Sequence, residues 1–241
     1  MRFVFLLAGI LALTACNDLP GRPGPRPEVV RPDEVLDFNV LYKENCSGCH
    51  GADGKGGASI ALSNPVYLAL ADDSVLRSVT AGGVHGTGMP AFAQSNGGSL
   101  TDKQIDVIVG GIRAWARPDA QRDANLPAYS APAPGDAQRG ADVYKTFCSS
   151  CHGADGQGTK AGSSIVDGSY LALVSDQYLR TIVIAGRPEL GAPDWRSDVQ
   201  GRPMAGQDIA DVVAWLVAQR PPYPGQPYAT LQARQPEEAS K

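Results

Sequence analysis

The sequence predicts an all-α protein assembled from one helical unit written twice. Three observations carry that expectation. Apolar residues recur at helical spacing in short segments, and no segment shows convincing strand alternation. Glycine (28) and proline (19) are plentiful while aromatic residues make up only 7%, which favours compact units with much loop over sheet-rich sandwiches. Segments of the first half also return in the second: Tyr67-Leu68-Ala69-Leu70 reappears as Tyr170-Leu171-Ala172-Leu173, and Leu76-Arg77 as Leu179-Arg180, both 103 positions on. At 241 residues the chain has room for two modest domains.

Read from the N-terminus, Arg2 precedes an apolar run from Phe3 to Leu13 that is too short to span a bilayer as a helix and has the form of an export signal over 1–15. Its end, Leu13-Thr14-Ala15-Cys16, resembles the lipobox of bacterial lipoprotein precursors, which implies lipidation of Cys16 as the mature N-terminus. Residues 16–32 are proline-rich and read as a tether. The first helix of each half carries Phe38, Leu41 and Tyr42, or Val143, Tyr144 and Phe147. A middle helix follows with Val75, Leu76 and Val79, or Leu179, Ile182 and Val183, for which Ser74 and Ser175 are the expected N-caps. The last helix of the first half starts at Thr101 with Gln104 three residues later, a capping-box pattern, and Pro118 limits it. Its twin holds Ile209, Val212, Val213 and Leu216, which match Ile105, Ile108, Val109 and Ile112 at an offset of 104, and Pro221-Pro222 stops it. The expected domains are therefore 33–118 and 136–220, with a linker over 119–135 and a polar tail over 221–241.

The chemistry lies in the cysteines. Five in an exported chain suggest two disulfides and one left over until their positions are read. Four fall in Cys46-Ser47-Gly48-Cys49-His50 and Cys148-Ser149-Ser150-Cys151-His152, 102 positions apart, and C-x-x-C-H is the attachment signature of c-type haem. Two thiols three positions apart can each bond a haem vinyl group from one helical turn, and the next residue then puts an imidazole under the iron. The two copies continue alike, as HGADGKG and HGADGQG. A thioredoxin-like redox pair would need a βαβ setting, and a zinc ribbon would need its two knuckles much closer together.

Each half thus resembles a class I cytochrome c domain, the small all-α fold around one covalent haem. The resemblance implies two covalent haems, on Cys46/Cys49 and Cys148/Cys151, with His50 and His152 as proximal iron ligands. It also implies a distal methionine, often followed by proline, and Gly88-Met89-Pro90 supplies Met89 in the first half. A proline after the haem motif often lends its carbonyl to the proximal imidazole in this family. Pro65 falls where that role would lie, whereas the second half has Gly168 there.

The second half departs from the pattern at the distal ligand. Within Glu189-Leu190-Gly191-Ala192-Pro193-Asp194-Trp195, the 103-residue offset maps Met89 onto Ala192. Met204 has two readings. At the 104-residue offset it matches Leu100, from which an apolar side chain can staple onto Ile209. Alternatively, the longer loop before it folds Met204 back to the iron. A third possibility leaves the second haem open to small ligands, and a further one makes Lys160 or Tyr170 the substitute ligand. Arg187 and Trp195 are nearby polar and aromatic candidates, and His85 reads as an exposed loop residue.

What the resemblance implies is a lipid-anchored dihaem electron carrier, periplasmic or on the outer face of the cytoplasmic membrane, passing single electrons between redox protein partners. The alternatives are a haem enzyme or small-ligand sensor with an open second haem, or an electron-transfer subunit of a larger oxidoreductase. Lys and Arg total 21 against 25 Asp and Glu, with no basic run, so nucleic acid is not an expected partner.

Overall fold

A computed structural model describes residues 29–116, 125–197 and 199–221. The export signal, Cys16, most of the tether, Pro118, Pro222 and nearly all of the tail lie outside the described residues. The described residues form ten α-helices and no strands, five α-helices in each half. In the first half these are α1 (Phe38–Asn45), α2 (Ser47–His50), α3 (Pro65–Leu70), α4 (Asp73–Gly82) and α5 (Asp102–Arg113). In the second they are α6 (Ala137–Phe147), α7 (Ser149–His152), α8 (Gly168–Leu173), α9 (Asp176–Ala185) and α10 (Gly206–Ala218).

Local chemistry explains the boundaries. Thr101 and Gln104 form the reciprocal capping box at the start of α5, and Ser175 accepts the Tyr178 amide to cap α9. The expected cap at Ser74 is corrected: Asp72 takes the Val75 amide and starts α4, while Ser74 sits inside the first turn and donates its hydroxyl to Asp72. The repeated Tyr-Leu-Ala-Leu segments are helices in their own right, capped by Asn64 and Asp167. Six residues are too few for periodicity to mark them, so capping decides them.

In each half the first helix crosses the last, and glycine makes the crossing close. In the second half the glycine is on the first helix: a Cβ at Gly140 would stand 2.0 Å from the Asp211 carbonyl oxygen and 2.8 Å from the Trp215 Cβ. In the first half it is on the last helix: a Cβ at Gly111 would stand 2.0 Å from the Phe38 ring. By the repeat, Phe38 corresponds to Gly140 and Gly111 to Trp215, so the bulky and small partners have exchanged helices. One aromatic and one glycine per crossing keep the shared volume constant, as close packing requires. Trp115 meets Phe38 and Tyr42 edge-on, whereas Trp215 stacks on Tyr144 at 4.2 Å.

The last helix of each half is also tied to the middle of its unit by an arginine. Arg113 donates to the carbonyls of Leu68 and Ala71 and pairs with Asp73. Arg220 does the same for Leu171, Val174 and Asp176, the matching acceptors 103 positions on. The acceptors obey the repeat and the donors do not, because Arg220 reaches back from beyond the end of α10.

The two halves pack against each other. Leu70 and Val66 of α3 join a buried cluster with Tyr144, Ile184, Trp195, Met204, Ile209 and Val212. The Asn64 side chain donates to the Ala185 carbonyl at 2.9 Å, and Arg187 donates to the Gly57 carbonyl at 2.8 Å. The segment between the halves carries no helix over residues 125–135. It is fastened all the same, because the buried Arg180 donates to the Ala128 and Tyr129 carbonyls.

Candidate haem centres

The attachment motif is built the same way twice. Each first helix ends at a cysteine, Cys46 or Cys148, and that residue starts a one-turn helix that ends at the histidine. His50 and His152 amides return to the carbonyls of Cys46 and Cys148, at 3.0 and 2.9 Å. The turn therefore gathers both thiols and the imidazole of each motif. No disulfide joins them, and all four cysteines of the two motifs are free thiols. Burial, with the neighbouring Cys49 or Cys151 sulfur adding to it, pushes the Cys46 and Cys148 thiols up to about 11.

Each histidine is oriented by a backbone carbonyl. His50 Nδ1 lies 2.8 Å from the Ile60 oxygen, and His152 Nδ1 lies 2.7 Å from the Ser163 oxygen. A carbonyl only accepts, so the proton sits on Nδ1 and the Nε2 lone pair is left for a metal. The expectation that Pro65 supplies this carbonyl is corrected: Pro65 opens α3 as its first residue, a position that suits its fixed φ and missing N–H. The holding loop is one residue longer in the second half, so the repeat offset changes from 102 to 103 within it. Burial lowers the basicity of the His50 imidazole, and the Arg187 cation adds to that effect against the pull of the Ile60 carbonyl. A neutral imidazole is the form that binds iron.

The loops after α4 and α9 carry the distal candidates, and their backbones share a glycine turn and one hydrogen bond. Gly83 and Gly186 follow their helices with φ of 65° and 64°. A Cβ at either would come within 2.5 Å of the returning strand of loop, at Ala91 or Pro193. The Val84 amide donates to the Met89 carbonyl at 2.9 Å, and the Arg187 amide donates to the Ala192 carbonyl at 3.0 Å. Ala192 therefore holds the Met89 position in three dimensions as well as in sequence.

Met204 is placed equally clearly. Its amide donates to the Trp195 carbonyl at 2.8 Å, as the Leu100 amide donates to the Phe92 carbonyl at 2.8 Å. It immediately precedes Ala205, the first cap of α10, as Leu100 precedes Thr101. Met204 is buried with Ile209 in the same apolar cluster, the arrangement of a hydrophobic staple. Burying a methionine in this way contributes roughly 1.5–3 kcal/mol.

The other candidates fall elsewhere. Lys160 is exposed on the loop that holds His152 Nδ1. Tyr170 packs against Leu171, Leu179 and Val213 and meets Tyr178 edge-on. His85 is exposed at a cleft of about 490 Å³ that Leu171, Asp176, Gln177 and Arg220 also line. Trp195 is core. Arg187, read from sequence only as a nearby polar residue, joins the halves: it donates to the Gly57 carbonyl and pairs with Glu189 at 2.5 Å. No local pattern marks that partnership, since Gly57 lies 130 residues away.

Residues 33–110 and 135–216 match the family described as cytochrome c oxidase, cbb3-type, subunit III, once for each half. The chain belongs to that family. Among relatives, it is 31% identical over 157 residues to the cbb3-type cytochrome c oxidase subunit CcoP of Azospirillum sp., covering 58% of this chain and 48% of that protein. It is 24% identical over 218 residues to the cytochrome bc1 complex cytochrome c subunit of Mycobacterium tuberculosis, covering 86% of this chain and 73% of that one. A cbb3-type subunit FixP of Sinorhizobium medicae is 26% identical over 149 residues. The chain spans about half the length of the oxidase subunits it matches. Membership in the cbb3-type subunit III family makes this a tandem class I cytochrome c, and such domains carry covalent c-type haem. The residues present fit that group: two thiols and a metal-ready imidazole leave one helical turn in each half.

Proposed function

We propose that this chain is a dihaem electron-transfer cytochrome, serving a respiratory chain either as a carrier or as an electron-transfer subunit. The observation that carries the reading is the duplicated thiol-thiol-imidazole turn, each imidazole held by a backbone carbonyl so that Nε2 is free. When bound, each haem supplies a reversible one-electron couple. The chain does the rest. Cys46 and Cys49, and Cys148 and Cys151, would anchor the two groups, while His50 and His152 would supply their imidazole ligands. Met89 would be the second protein ligand of the first haem, and thioether ligation would raise the potential of that centre. The Arg187 clamp ties the His50 loop to the distal loop of the second half and keeps the two centres in fixed relation. The relatives named as subunits of oxidase and bc1 complexes support redox protein partners of that kind.

The N-terminal signal and Cys16 support export and a lipid anchor on the periplasmic side. Among the described residues no helix is long and apolar enough to cross a membrane; in this reading the acyl chains on Cys16 supply the attachment. Domain 33–118 holds one haem and domain 136–220 the other. Mass spectrometry of matured protein should show two covalent haems, falling to one when Cys148 and Cys151 are both replaced by alanine. Potentiometric titration should resolve two one-electron centres, of which Met89→Ala lowers one. Matured protein without covalent haem would refute the proposal. Replacing Cys16 by serine should release the protein from membranes.

A further inference from the structure

We propose that the second haem has no protein ligand opposite His152 and that its distal face takes a neutral diatomic molecule of the carbon monoxide, nitric oxide or dioxygen class. The inference rests on the dihaem reading and goes beyond it by giving the two centres different chemistry. It begins with the distal loops. Gly83 and Gly186 make the same turn, and Val84–Met89 and Arg187–Ala192 make the same backbone hydrogen bond, so the methyl of Ala192 stands where the first half presents a thioether.

Among the described residues, none of the candidates that the sequence offers takes the place of that thioether. The sequence holds three methionines and three histidines. Met1 belongs to the export signal, and Met89 serves the first half. Met204 is the core counterpart of Leu100, with the same backbone bond, the same place before the helix cap and 6% exposure. His50 and His152 are the proximal pair, and His85 lies at the cleft against α8 and α9. Lys160 belongs to the loop on the Nδ1 edge of His152. Tyr170 is the repeat of Tyr67, which the first half keeps buried alongside a working Met89, so a tyrosine at this position is a packing feature of both units.

The surroundings choose among ligands. Arg187 is the cation of the Arg187–Ala192 turn, and its guanidinium is held by the Gly57 carbonyl and Glu189. The amide and carbonyl of Arg187 are both bonded to Ala192. What the turn offers at position 192 is a methyl group, and the turn's own cation is already paired, which suits a neutral molecule over an anion.

The test is optical titration of the reduced, matured holoprotein with carbon monoxide, on material shown by mass spectrometry to carry both haems. One molecule should bind per chain. Met204→Leu should leave that stoichiometry and affinity unchanged, Ala192→Met should abolish binding and raise the potential of the same centre, and Met89→Ala should raise the count to two. Binding that appears only in Met204→Leu would overturn the inference in favour of Met204 ligation. Absence of binding in the unaltered protein and in Met204→Leu alike would overturn it in favour of some other ligand. Binding that survives Ala192→Met would overturn the assignment to this loop. Loss of the dihaem reading is a separate result, seen in the mass spectrum before any gas is added.

Discussion

Asp211 is buried in the middle of α10, with its side chain 4% exposed, and neutralising it should weaken the second half in a pH-dependent way. Its carboxylate accepts from the Asp136 amide at 2.7 Å, from Arg139 Nε and Nη2 at 2.8 and 2.9 Å, and from Gln207 at 2.9 Å. Chiefly through the Arg139 hydrogen bonds, these donors hold the acid at about 2, against an ordinary value of 3.8. At about 1.36 kcal/mol per unit this is about 2 kcal/mol, and roughly 1–2 kcal/mol once screening at the half-exposed Arg139 is allowed for. Because the folded-state value is depressed, the contribution is full above the ordinary value and disappears as pH falls towards about 2. Asp211→Asn should therefore lower the melting temperature of matured protein by roughly 2–8 °C near neutrality, since about 2–4 °C accompanies each kcal/mol at this size. Far-UV circular dichroism melts across that pH range should show the gap closing on acidification. A gap that stays constant with pH, or none at neutrality, would refute the assignment of this stability to the ionised carboxylate.

Gly140→Ala places a methyl against the main chain of α10 and should cost about 1–3 kcal/mol in a thermal melt, while Gly110→Ala, whose Cβ meets nothing within 4 Å, should be neutral or stabilising. Asn64→Asp should keep the α3 cap but lose the donor to the Ala185 carbonyl. We expect it to weaken the contact between halves, read as faster hydrogen exchange at the helix ends facing it, with little change in helicity. Arg220→Ala and Arg113→Ala each remove one tie from a last helix to its middle segment, and each should lower the melting temperature by an amount equivalent to about 1–3 kcal/mol.

Much of this molecule is written in short-range sequence. Two thiols and an imidazole on one turn need only C-x-x-C-H, and helix capping at Thr101 and Ser175 needs only neighbours within three residues. The repeat made the fold class readable, and through it the substitution at position 192. It also raised the question of Met204 without answering it, because a methionine suits a core and an iron equally well. Only the folded chain shows the hydrogen bond to Trp195, nine residues away, that gives Met204 the same backbone place as Leu100. The carbonyls that hold the imidazoles, of Ile60 and Ser163, were likewise invisible, since backbone groups carry no sequence signature. The exchanged glycine and aromatic partners at the helix crossings, and the clamp from Arg187 to Gly57, depend on residues brought together across about 70 or more positions. Sequence by itself determined which chemistry each half can anchor, because covalent attachment is local. Tertiary structure alone decided where the remaining side chains lie, because burial and long-range hydrogen bonds join residues that are far apart in the chain.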